Sequence, residues 1–169
     1  EGNLIEGSGQ YGNSSLRKTD YKTGNVSKKI DLDKKYFGEG VTVLNDKIYQ
    51  LTWNENTAFI YDAKTFKMEK SIPYFRKDLS GWGLTNDGTN LYMTDGSDRV
   101  YKINPADFSL IDYFVVSTNQ STIGGVNELE WVNGEIYANF YTRDAIGIFS
   151  PIDGTVNAVI DLSDLKNKV

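Results

Sequence analysis

The chain repeats itself with a period of about 44 residues. Leu4-Ile5, Ile48-Tyr49, Leu91-Tyr92 and Ile136-Tyr137, each preceded by a turn-prone pair, stand 44, 43 and 45 residues apart. Behind them come matching second runs, Leu16 to Asp20, Thr57 to Asp62, Arg99 to Asn104 and Ala145 to Ser150. A turn then leads to a last run ending near Leu32, Tyr74, Val116 and Leu162. Three units also begin with an earlier run, Gly40 to Leu44, Trp82 to Thr85 and Val126 to Trp131, closed by Asn45-Asp46, Asp87-Gly88 or Asn133-Gly134. Those dipeptides are hairpin signals, and the runs alternate apolar with polar residues as strands do. Helical spacing is nearly absent.

Four short strands recurring at this period predict an all-β fold, a β-propeller of four-stranded antiparallel blades. A sandwich of unrelated hairpins would not keep so regular a period. The repeats are expected at about 1–33, 39–77, 82–117 and 126–163, within a single domain over 1–169. One period before Gly40 lies ahead of Glu1, so the first repeat lacks its inner strand. That leaves an unpaired edge, and a chain incomplete at its amino end is the expectation.

Composition removes whole chemistries. With no Cys and no His, there is no disulfide framework, thiol nucleophile, Ser-His-Asp triad or imidazole-bound zinc. Eighteen basic and 23 acidic side chains leave a net charge of −5, without the basic footprint of a nucleic-acid or anionic-membrane binder. No apolar run approaches the roughly 20 residues that span a bilayer. The lysines from Lys18 to Lys35 interleave with Asp20, Asp31 and Asp33 and read as a solvated face.

The period also gathers a site. In a propeller the innermost strands line a channel whose rim is the usual place for chemistry. Glu39, Trp82 and Asn127, 43 and 45 residues apart, share one phase at the start of an innermost strand. Pairing across the three hairpin turns is expected to set Trp53 opposite Glu39, Gly96 opposite Trp82 and Tyr141 opposite Asn127. A carboxylate, an amide and three aromatics at one opening suit a ligand pocket. Taken singly, each has a plainer reading: a Trp as blade packing, a Glu between glycines as a solvated turn, an Asn as a backbone cap. Their common phase favours the site.

Phe37-Gly38-Glu39-Gly40, Leu51-Thr52-Trp53, Gly81-Trp82-Gly83-Leu84-Thr85, Asp95-Gly96-Ser97, Asn127-Glu128-Leu129-Glu130 and Ala138-Asn139 occur in order along the chain. Together with the opening stretch from Glu6 to Arg17, this set resembles the plant and bacterial type of glutaminyl-peptide cyclotransferase. The resemblance implies a five-bladed propeller that converts amino-terminal glutamine of peptides or proteins into pyroglutamate with release of ammonia. It implies no metal and no other cofactor. Carried over by position, the family's acidic active-site residue falls on Glu39, its indoles on Trp53 and Trp82 and its amide on Asn127, with Phe37 in the same wall. Tyr141 stands where the family has Trp. The family's Phe-Thr-Gln-Gly, Leu-Asn-Gly-Ile-Ala and Thr-Gly-Lys segments do not occur, so a fifth blade and a glutamine and a lysine of the family's pocket are absent here. The resemblance implies either a five-bladed protein incomplete at both ends, which is the expectation, or closure with four blades and a different pocket. A monomer in the periplasm or outside the cell is expected.

On that resemblance Glu39 would shuttle a proton from the attacking α-amine to the departing ammonia, a role favoured by a pKa near neutrality. Asn127 would hold the γ-carbonyl oxygen. Phe37, Trp53, Trp82 and Tyr141 would fold the substrate side chain towards ring closure. Two alternatives stay open: a calcium-dependent, lactonase-like propeller using Glu and Asn oxygens, and a non-catalytic propeller that binds peptides or proteins.

Overall fold

The structure is a computed structural model that describes residues 2–167. β1 (Asn3–Ser8), β2 (Ser15–Asp20) and β3 (Val26–Asp31) form a three-stranded antiparallel sheet. The next sheet is the four-stranded meander β4 (Gly38–Leu44), β5 (Lys47–Thr52), β6 (Thr57–Asp62) and β7 (Met68–Pro73). A third contains β8 (Leu84–Asn86), β9 (Leu91–Thr94), β10 (Arg99–Ile103) and β11 (Leu110–Val115). The last contains β12 (Val126–Val132), β13 (Glu135–Phe140), β14 (Ala145–Phe149) and β15 (Val156–Asp161). These are the blades the period predicts, and among the described residues no strand lies inside β1. Glu1, the expected start of the first repeat, is outside the described residues. A short 3-10 turn over Ser163–Asn167, which the strand pattern does not foretell, follows β15.

The repeat is legible down to single hydrogen bonds. In every blade the turn between the third and last strands is closed in the same way, by Gly24 N–H to Asp20 O, Phe66 to Asp62, Phe108 to Asn104 and Gly154 to Ser150, at 2.8 or 2.9 Å. The residue that donates has a left-handed backbone, φ 72°, 63°, 62° and 76° respectively. Glycine takes that conformation freely, whereas Phe66 and Phe108 take it at a cost. Their rings are buried in exchange, Phe108 completely. On the inner side, Asn45-Asp46 and Asn133-Gly134 have positive φ at both residues and make two-residue hairpins, as their sequence demands.

Two compact units divide the chain, Glu1–Gly81 with the first two sheets and Trp82–Val169 with the last two. In the first, Leu16, Ile48, Phe59, Tyr61 and Phe66 form a core between the sheets, with Ile5, Ile30 and Tyr36 packed against it. In the second, Tyr92, Val100, Val126, Leu129, Ile136 and Phe149 do the same. Each large side chain fully buried in this way contributes about 1.5–3 kcal/mol. The middle strands β5 and β9 are buried on both faces, with polar Gln50, Thr52 and Thr94 among their buried residues.

Candidate active site

All three inner hairpins contain the same irregularity, and it falls on the residues singled out by phase. In β4, Gly38 pairs with Thr52 and Val41 with Gln50, so Glu39 and Gly40 together face Leu51. In β12, Val126 pairs with Phe140 and Leu129 with Ala138, so Asn127 and Glu128 together face Asn139. Ahead of β8, Trp82 N–H donates to Thr94 O at 3.0 Å and Gly83 O accepts from Thr94 N–H at 3.1 Å, two residues again sharing one partner. Such a two-against-one bulge turns its side chains away from the regular alternation. Glu39, Trp82 and Asn127 are each the first of the two.

The bulges correct the expected cross-strand pairs. Trp53 N–H donates to the carbonyl of Phe37 at 2.9 Å, and Tyr141 N–H to that of Gly125 at 2.7 Å. Trp53 is therefore opposite Phe37 rather than Glu39, and Tyr141 opposite Gly125 rather than Asn127. The backbone partner of Trp82 is Thr94 instead of Gly96. The ring of Trp82 nevertheless lies over Gly96, where an added Cβ would meet the indole at 2.6 Å. Counting from the turn alone assumes one residue against one, which a bulge breaks.

In the first unit the rings of Phe37 and Trp53 meet edge-on at 5.5 Å, and those of Tyr11 and Phe37 at 5.3 Å. The Glu55 carboxylate fastens this group, accepting from Tyr11 O–H at 2.7 Å and from Phe37 N–H at 3.2 Å. Its hydrogen bond raises the pKa of Tyr11. Trp53 keeps 36% of its surface exposed and Tyr11 46%, so the cluster is open to a ligand. Glu39 is half-buried between two buried glycines. Below it, the buried Tyr74 hydroxyl donates to Thr52 O at 2.6 Å and accepts Thr52 N–H at 2.8 Å, clamping the residue before Trp53.

In the second unit Trp82 meets Tyr141 edge-on at 5.5 Å. Trp82 and Asn127 are half-buried, whereas Tyr141 is 61% exposed. Glu128, the second residue of its bulge, is exposed as a residue, yet its carboxyl is pushed up to about 7. Burial among packed atoms is the main cause and the charge of Glu130 the next, against hydrogen bonds from the backbone N–H groups of Leu129 and Leu84.

The rings of Phe37 and Trp53 in one unit, and of Trp82 and Tyr141 in the other, thus stand beside the bulges that carry half-buried Glu39 and Asn127. Sequence reasoning missed Glu55, Tyr74, Thr94 and Glu128. Two of them left a trace in the repeat: Tyr74 stands where other repeats have Leu32, Val116 and Leu162, and buried Thr94 where one has buried Leu51. Among the described residues, no group of three or more Asp or Glu side chains could hold a metal ion.

The family described as glutamine cyclotransferase matches residues 1–169. A glutaminyl-peptide cyclotransferase of Arabidopsis thaliana is 39% identical over 163 residues, covering 96% of this chain and 50% of that protein. The chain thus spans half the length of that relative. The crystal structure of Myxococcus xanthus glutaminyl cyclase superposes with a TM-score of 0.87 at 28% identity, covering 98% of this chain and 69% of that one. The WD40 β-propeller domain of Doa1 follows at a TM-score of 0.65 and 15% identity, covering 96% of this chain and 51% of its own, a likeness of fold alone.

Proposed function

Since this chain belongs to the glutamine cyclotransferase family, we propose that the protein cyclises the amino-terminal glutamine of peptides to pyroglutamate. The reading assigns Glu39, Phe37 and Trp53 from the first unit and Asn127, Trp82 and Tyr141 from the second to one reaction. The observation that carries it is the recurrent bulge, which presents Glu39, Trp82 and Asn127 at one register position of three blades.

The substrate carries its own nucleophile. An α-amine with a pKa near 7.7 is largely neutral at pH 8 and attacks the side-chain amide carbon without strong activation. The new C–N bond forms while the carbonyl oxygen takes up negative charge, and the tetrahedral adduct collapses with loss of ammonia. Glu39 accepts the proton that the attacking nitrogen sheds and returns it to the leaving nitrogen, so that no proton is gained or lost overall. The Asn127 amide donates to the oxygen as its charge grows, a contribution of up to about 10²-fold. The aromatic faces hold the side chain folded back on the amine, raising the effective concentration of the two reacting groups.

Peptides and proteins with amino-terminal glutamine as substrates, independence from metal, a monomeric state and a periplasmic or extracellular setting belong to the same proposal. The test is ammonia release from a Gln-initiated dipeptide, with and without chelator, by this chain and by a version lengthened to the span of its relatives. Glu39→Gln is expected to fold and to lose most turnover, about 10²–10⁴-fold as for other acid–base groups. Normal turnover by folded Glu39→Gln would reject the shuttle, and loss of activity with chelator would reject the metal-independent reading.

A further inference from the structure

Thr94 occupies an unusual place. It is the residue that faces the bulge in its blade, it is completely buried, and its backbone and hydroxyl both bond to the two segments that carry Trp82 and Asn127. Its backbone carbonyl accepts Trp82 N–H at 3.0 Å and its N–H donates to Gly83 O at 3.1 Å. Its hydroxyl accepts Gly83 N–H at 2.7 Å and donates to the carbonyl of Asn127 at 2.8 Å. The hydroxyl is thus a bridge with one bond on the residue after Trp82 and one on Asn127 itself. Close approach makes the bridge possible. Gly83 has no side chain, and a Cβ there would overlap the backbone of Asn127 and Glu128.

We propose that Thr94 is a positioning residue, whose hydroxyl sets the Trp82 indole and the Asn127 amide at a fixed separation for the reaction. The inference rests on the function proposed above. A hydroxyl is the smallest group that accepts one hydrogen bond while donating another. Neither Leu51 nor Asn139, its counterparts in the repeat, can do both in so small a volume. Valine has nearly the same shape and can do neither, so the Gly83 N–H and Asn127 carbonyl would be left facing each other without a bridge. Shifts of about 1 Å at reacting groups can cost 10²-fold in rate.

A second threonine separates positioning from stability. Thr85, also buried, accepts Trp131 N–H through its hydroxyl at 3.0 Å and so ties β8 to β12 further along the same pair of strands. Thr94→Val, Thr94→Ser and Thr85→Val are compared for turnover of a Gln-initiated dipeptide per folded molecule, and by NMR for the Trp82 indole N–H and the Asn127 side-chain amide. Thr94→Val is expected to lose about 10–100-fold in kcat with a smaller change in KM, and to move both NMR signals. Thr94→Ser restores kcat to within about threefold, since it keeps the bridge, and Thr85→Val is destabilised without loss of kcat. Equal kcat in Thr94→Val and Thr85→Val, or unmoved Trp82 and Asn127 signals in Thr94→Val, overturns the proposal. Absence of ammonia release by the unsubstituted protein overturns the functional reading instead, and the NMR comparison then still decides whether Thr94 positions the two groups.

Discussion

Trp53 lies directly across the β4–β5 hairpin from Phe37, bound N–H to carbonyl at 2.9 Å with the two rings edge-on at 5.5 Å. The pairing leaves Glu39 outside the regular ladder, in the bulge between Gly38 and Val41. The aromatic pair and the carboxylate therefore come from one hairpin with two different backbone geometries.

The edge-on pair makes Trp53 replaceable in part. Trp53→Phe keeps an aromatic face against Phe37, and a pair of this kind is worth about 0.5–1.5 kcal/mol. Its kcat/KM is expected to stay within about tenfold of the unsubstituted protein. Trp53→Ala should fall further, towards 10²-fold, through loss of substrate orientation. Steady-state kinetics on a Gln-initiated dipeptide checks both, and equal activity of the two variants would rule out a stacking role.

Tyr74 acts from beneath. Tyr74→Phe removes the hydroxyl that serves both backbone groups of buried Thr52. Leaving buried polar groups unsatisfied costs about 1–3 kcal/mol each, so urea unfolding should show a loss of about 2–4 kcal/mol. The folded variant is expected to retain most of its activity, because the Trp53 N–H still holds Phe37.

Glu128 gives a pH signature. Its carboxyl is raised in the folded chain from 4.5 to about 7, mainly by burial. Between those values the folded protein holds a proton that the unfolded chain has released, so this group's contribution to stability is fully present below pH 4.5 and is lost as the pH rises through that window to about 7. Glu128→Gln removes the effect. Its Tm relative to the unsubstituted protein should therefore rise from pH 5 to pH 8. Because the residue is exposed, solvent limits the difference to about 1 kcal/mol, or roughly 2–4 °C. A pH-independent difference in Tm would show that Glu128 ionises normally.

The amino-acid sequence by itself determined the blades, their order, the two-residue turns at Asn45-Asp46 and Asn133-Gly134 and the phase shared by Glu39, Trp82 and Asn127; Asp87-Gly88 instead lies in a four-residue loop between Asn86 and Leu91. Those follow from local physics: alternation sets which face of a strand is buried, and dipeptides such as Asn133-Gly134 carry the positive φ that a tight hairpin needs. Tertiary structure alone decided that Trp53 faces Phe37, that Tyr74 clamps Thr52, that Thr94 bridges Gly83 and Asn127 and that Glu128 is driven towards neutrality. A bulge is one residue of slippage whose cost is offset by contacts with other strands, and a buried hydroxyl or carboxyl is defined by atoms far away in sequence. The bulge recurs in all three inner hairpins, but counting from a turn assumes one residue against one and so passes over it.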